Sequence, residues 1–284
     1  MTLGDTSVLL FAILLFTGVT GFTTAKDHST DANQPGSIFE DKNLENSVRR
    51  QVPAKRNNTA PLTAPDVLHI SALDGEDLDI RSLQGIEHCK ALASLEFPGN
   101  AITDITPLQS LAHLQLVDLA GNSLTDIKPL QKLTRLQYLN LNNNQLTDIT
   151  PLADLPALRS LYLTGNQLTD IAPLAKQTRL WSLYLGSNRL TDTTPLKHIR
   201  HLDILDLRGN RLTDITPLTA HTTYRMLFLQ DNQLTDLSPL LGTLRKDAAG
   251  PRKFSPFLRI WTTGNDLPQA QVQELRKLAK EVKH

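Results

Sequence analysis

The chain has 284 residues, with 29 Lys and Arg side chains balanced by 29 Asp and Glu, and a single cysteine. That balance leaves no whole-chain basic footprint for nucleic acid, and one cysteine permits no internal disulfide. The length suits one or two ordinary domains, or one repeat array whose summed core needs no staple.

At the N-terminus, Thr6 to Ala25 carries no charge, and Val8 to Phe16 (VLLFAILLF) is an apolar block too short for a comfortable membrane span. Small residues follow, with Thr23-Thr24-Ala25 before Lys26, so residues 1–25 read as a cleaved secretory signal. Asp5 is the only charged side chain before the block, and no Lys or Arg precedes it, which keeps an uncleaved membrane anchor as the alternative. The expectation is an exported protein, periplasmic, secreted or at the cell surface, with no membrane span once the signal is removed. Residues 26–37 (KDHSTDANQPGS) are polar and expected to be a disordered linker. Phe39, Leu44 and Val48 then mark an amphipathic helix over about 40–51, and Thr63-x-Pro65 opens a second, giving a helical N-terminal cap over 38–69.

From residue 70 the chain is periodic. Asn100, Asn122, Asn144, Asn166, Asn188, Asn210 and Asn232 recur every 22 residues without a slip. Thr stands three residues after each, Asp four, Pro seven and Leu eight, while the positions eight, five and three before are apolar, as in Leu158-x-x-Leu161-x-Leu163-x-x-Asn166. In the pattern LxxLxLxxNxLTDIxPL the chain resembles the leucine-rich repeat family, in the 22-residue form shared by bacterial internalins and a regulatory subunit of protein phosphatase 1. The resemblance covers about 200 residues. It implies an α/β solenoid: a curved parallel β-sheet on the concave face, short 3-10 or helical turns on the convex face, and helical caps.

The residues support this independently. LxL alternation makes a short strand with leucines inward, and stacking the units buries what one turn cannot. The Asn amide both donates and accepts, so the column forms a structural ladder where the chain bends away from the strand. Thr106, Thr150, Thr194, Thr216 and Ser238 each precede Pro and read as N-caps of a convex turn.

Residues 70–91 form a degenerate first turn, with Leu78 in the Asn column, so the array spans 70–240. Thr-Gly-Asn-Asp-Leu at 263–267 arrives eleven residues late, placing a basic insertion loop at 241–256. Residues 257–284 then hold the last repeat and a capping helix with Val272, Leu275, Leu278 and Val282 at helical spacing.

Candidate chemistry is sparse. The Asp column beside an invariant Thr fits backbone capping better than a cation ladder. Asp74, Glu76, Asp77 and Asp79 do not fit an EF-hand loop and read as a solvated edge. His198, His201 and His221 approach one another on adjacent turns, but His221 occupies a column held by Leu111, Leu133 and Leu155, which favours a tolerated core-edge histidine over zinc. Cys89 reads as a small core residue, and adjacent His88 is badly placed to activate it. No phosphate loop or nucleophile elbow appears, so neither catalytic residues nor a cofactor or metal are expected.

The outward strand positions carry the functional information. Four residues before each Asn stand Glu96, Asp118, Asn140, Tyr162, Tyr184, Asp206 and Phe228, with Trp261 in the last unit; six before stand Ser94, Leu116, Tyr138, Ser160, Ser182, Ile204, Met226 and Arg259. With Trp181 beside them, both tryptophans and three of the four tyrosines face one sheet surface. Exposed aromatics need a cover, although aromatics also pack across strands for their own sake. The expected partner-binding set is Leu116, Tyr138, Tyr162, Trp181, Tyr184, Ile204, Asp206, Met226, Phe228 and Trp261. The reading is a non-enzymatic protein-binding module, with a glycan-binding surface protein or an intracellular phosphatase-regulator-like scaffold as alternatives.

Overall fold

The computed structural model describes residues 36–199, 201–250 and 253–284. The expected signal segment and all but the last two residues of the linker lie outside the described residues.

Helix α1 (Lys42–Arg50) and the short α2 (Ala64–Val67) cover the start of the array. Asp41 ties the two parts together. Its carboxylate accepts from Asn43 and Leu44 N–H at the start of α1, and from Arg81 and Ser82 N–H in the first repeat. Burial alone would raise its pKa, but these backbone donors outweigh it and hold the group below its ordinary range. Phe39, Leu44, Val48, Leu62 and Val67 are buried and join the core of the repeats.

Ten three-residue strands then form one parallel sheet in chain order: β1 (Ala72–Asp74), β2 (Ser94–Glu96), β3 (Leu116–Asp118), β4 (Tyr138–Asn140), β5 (Ser160–Tyr162), β6 (Ser182–Tyr184), β7 (Ile204–Asp206), β8 (Met226–Phe228), β9 (Arg259–Trp261) and β10 (Glu281–Lys283). The middle residue of each strand from β1 to β9 is a Leu, Val or Ile no more than 1% exposed. Burying each such side chain contributes about 1.5–3 kcal/mol, and this inward column sets the register at 22 residues from β1 through β8.

The Asn column lies just inside the bend after each strand. Asn166 is typical: Oδ1 accepts from Leu146 N–H at 3.0 Å, and Nδ2 donates to Leu141 and Leu163 carbonyls at 2.9 and 3.0 Å. The residue before each Asn adopts a left-handed backbone, which Gly165 supplies at φ 72° and Ser187 must adopt at φ 51°.

The convex turns are mostly short 3-10 helices such as Thr106–Ser110 and Thr194–His198. Their caps differ from the expectation. The hydroxyls before Pro are not the N-caps but the first residues of the turns; the Asp column, one residue before the N-cap position, satisfies them instead, with Asp104, Asp126, Asp148, Asp170, Asp192, Asp214 and Asp236 each accepting the N–H two residues on. An Asp carboxylate at that distance makes an Asx turn, and the following Pro then needs no donor partner.

Two C-terminal expectations are corrected. Most of the insertion expected as a loop is helix α3 (Ser238–Ala249), because the eleven extra residues let a convex turn lengthen and bury Leu240, Leu241 and Leu244. Asp247 ends it, accepting N–H groups from Lys253, Phe254 and Ser255. Helix α4 (Gln269–Leu278) packs on α3 through the Arg245–Glu274 ion pair, but it stops before Val282, which lies in β10 beside β9. Among the described residues no helix is long and apolar enough to cross a membrane.

Candidate partner-binding face

Parallel register places outward side chains in rows across the sheet, about 4.8 Å apart from strand to strand. One row runs Asp74, Glu96, Asp118, Asn140, Tyr162, Tyr184, Asp206, Phe228, Trp261 and Lys283. It begins acidic, passes through aromatics and ends on a cation. The second row includes Leu116, Tyr138, Ile204 and Met226, all half-buried on the same face.

The aromatics stack on one another. Tyr162 and Tyr184 lie nearly parallel with ring centroids 4.5 Å apart, and Tyr138 leans across from the second row onto Tyr162 at 5.1 Å. Phe228 and Trp261 make a second stack at 4.3 Å, and Lys283 Nζ stands 5.6 Å from the Trp261 ring. Burial, and after it neighbouring phenol and carboxylate groups, pushes the Tyr184 hydroxyl up to about 12, so the row stays uncharged on the tyrosine side.

Asp206 departs from the expected set. It separates the two stacks and is fully buried, so it presents no contact to a partner. Its carboxylate receives Arg208 Nη2 at 2.7 Å and the Arg208 backbone N–H at 3.0 Å, because the side chain two residues on folds back over it. The same guanidinium lies 5.5 Å from the Phe228 ring, so Arg208 covers Asp206 and borders the second stack. Burial, partly offset by Arg208, leaves the Asp206 carboxyl above its ordinary range.

Trp181 also departs from the expectation of one patch with Tyr162 and Tyr184. Among the described residues it makes no ring contact with either. It sits just before β6 on the flank of the sheet, 57% exposed, beside Arg159, Thr178, Arg179 and His201.

Arg208 and Lys283 were legible in the sequence: the first stands two residues after Asp206, and the second stands 22 after Trp261, the repeat length. At the histidines, His221 is buried with Nε2–H donating to the Leu196 carbonyl at 2.7 Å, while His198 and His201 are exposed. Gln177 fills the same column one unit plus 22 residues earlier and donates to the Leu152 carbonyl at 2.6 Å, so both polar side chains serve backbone satisfaction. Cys89 is buried, and desolvation pushes its thiol up to about 12, away from nucleophilic or ligating use.

A family model for leucine-rich repeats in two copies matches residues 112–154 and 134–176, and a single-repeat model matches 198–215. Among solved structures, internalin C2 of Listeria monocytogenes is 35% identical with a TM-score of 0.71, over 80% of this chain and 95% of that one. Another internalin of the same organism is 30% identical with a TM-score of 0.68, over 89% of this chain and 78% of that one. A leucine-rich repeat protein of Leptospira interrogans shares the fold at 20% identity, with a TM-score of 0.66 over 80% of this chain and 66% of that one.

Proposed function

The chain belongs to the leucine-rich repeat family and resembles the internalins, and from that premise we propose that it is an exported, non-catalytic module that binds a protein partner on its concave sheet. The observation that carries this reading is the outward aromatic row, the two stacks Tyr138–Tyr162–Tyr184 and Phe228–Trp261, with Arg208 beside Phe228. Tyr, Trp and Arg are the side chains that dominate protein interfaces, and Leu116, Ile204 and Met226 add apolar area beside them.

The stacking also weighs between partner classes. A sugar ring needs a free aromatic face. Tyr162 has a ring on each side, and Trp261 lies between Phe228 and the Lys283 ammonium group, so the row offers ring edges and hydroxyls instead. Edges, hydroxyls and half-buried aliphatics suit a protein surface better than a glycan.

The test is the double substitution Tyr162→Ala with Tyr184→Ala, measured against a partner captured by pull-down, beside thermal melts and the convex control Lys132→Ala. Buried aromatic anchors cost about 2 kcal/mol or more on truncation, a loss of roughly thirtyfold in affinity. Wild-type affinity in the double variant refutes the concave-face reading. Export is tested separately by mass spectrometry of the N-terminus of the protein made in its own cells; a chain still carrying residues 1–25 refutes cleavage.

A further inference from the structure

A second feature lies off the aromatic row. Where the chain turns into β6, Thr178, Arg179 and Trp181 meet Arg159 from the preceding unit and His201 from the following one around an open cleft of about 220 Å³. The backbone holds these units in register: Trp181 N–H donates to the Arg159 carbonyl at 2.8 Å, and Asp203 N–H donates to the Trp181 carbonyl at 2.9 Å.

Clustering of charge marks this cleft. Arg159 and Arg179 have no carboxylate partner among the described residues, and they converge with His201 on one lining. The nearest carboxylate in the same column, Asp203, is engaged by Arg225 at 3.4 Å. The cleft lining thus holds two guanidinium groups and an imidazole, with no acid to neutralise them. In their midst is Trp181, at 57% the most exposed large apolar side chain among the described residues.

Each group specifies part of a ligand. A guanidinium fork matches a carboxylate with two parallel hydrogen bonds. An exposed indole takes the methylene stem that carries a carboxylate, or the peptide unit behind it. Charge complementarity and the amphipathic indole together fit a run of acidic residues in an extended protein segment. We propose that this cleft is a docking site for an acidic peptide segment, its carboxylates on Arg159 and Arg179 and its stem over Trp181. The site is separate from the tyrosine stack, so it stands or falls independently of the concave-face reading.

The probe is a fluorescein-labelled ten-residue oligoglutamate peptide, titrated onto the chain by anisotropy, with equally labelled oligoglutamine and a sulfated heparin-derived oligosaccharide as comparators. The expected result is saturable binding of oligoglutamate alone, weakening severalfold as salt rises from about 20 to 200 mM, the range over which screening grows. The pair Arg159→Gln with Arg179→Gln, at an unchanged melting temperature, is expected to weaken binding about tenfold, and Trp181→Ala by a similar factor. Tyr162→Ala with Tyr184→Ala is expected to leave oligoglutamate binding as in the wild type. Equal binding of oligoglutamine, an unchanged affinity in the arginine variant, loss of binding in the tyrosine variant, or tighter binding of the sulfated oligosaccharide would each overturn the proposal.

Discussion

Replacing Asn166 with Ala removes three hydrogen bonds, but their loss is unequal. The Leu141 carbonyl keeps Asn144 Nδ2 at 3.2 Å, and the Leu163 carbonyl keeps Asn188 Nδ2 at 2.9 Å, because asparagines of two turns share each inward carbonyl. Leu146 N–H, held by Asn166 Oδ1 at 3.0 Å, has no second acceptor among the described residues. One orphaned buried N–H costs about 1–3 kcal/mol, and weakening two shared bonds adds a fraction, so the total is about 2–3 kcal/mol. With a urea slope of about 3 kcal/mol/M for a chain of this size, the midpoint should fall by about 0.7–1 M. Asn265 makes the same contacts at the last bend, to Leu234 N–H and the Leu229 and Thr262 carbonyls, but it is only half-buried. Water can replace its amide, so Asn265→Ala should cost about 1 kcal/mol or less. Urea denaturation followed by circular dichroism compares them. A midpoint for Asn166→Ala within about 0.2 M of wild type, or equal costs for the two variants, would refute the shared-ladder reasoning.

Arg208→Ala leaves a buried carboxylate without its counter-charge; since the guanidinium is half-exposed, the cost at pH 7 should be about 1–2 kcal/mol in chemical denaturation. The folded Asp206 carboxyl lies above its ordinary 3.8, so its contribution is fully present below that value and is lost as pH rises through the raised folded value. The Arg208→Ala deficit should therefore shrink on acidification to about pH 4, and a pH-independent deficit would contradict the buried-charge account. Asp148 has the opposite sign: the Thr150 hydroxyl and then its backbone N–H hold the carboxyl below its ordinary value. Its contribution is present above 3.8 and lost as pH falls through the lower folded value. Asp148→Ala should cost about 0.5–1 kcal/mol at pH 7 and converge with wild type below about pH 3, as read by urea midpoints. Two glycine substitutions should move thermal stability in opposite directions. Gly165→Ala meets φ 72° and a clash with Asn143 Oδ1, costing about 1–2 kcal/mol, whereas Gly242→Ala in α3 meets open space and should add about 0.5–1 kcal/mol. A stabilised Gly165→Ala would contradict the left-handed requirement.

Repeat length, inward columns and sheet register were legible because each depends on one unit meeting an identical neighbour. Leu161 need only find Leu139 and Leu183 beside it, and Asn166 need only reach backbone groups of its own and the preceding turn. A period of 22 residues therefore determines both without knowledge of the whole. Capping moved back by two residues, from Thr to Asp, since both precede the same Pro by no more than three residues and only side-chain reach separates them. Outward positions are different, because a strand's period of two says which face a side chain leaves from and nothing about where its tip goes. The tip of Asp206 turned inward under Arg208, an ion pair that no other acidic member of the row makes among the described residues. Trp181 stands one residue before its strand, where alternation no longer applies, and so fell between Arg179 of its own turn and Arg159 of the preceding one instead of joining the tyrosines. The 241–256 segment lost the repeat's phase altogether. Without an in-register neighbour to copy, its leucines found the core through an α-helix, an outcome that depends on the shape of the exposed end of the stack, whereas Val282, 22 residues after Ile260, regained the repeat's register and paired with β9 as a tenth strand.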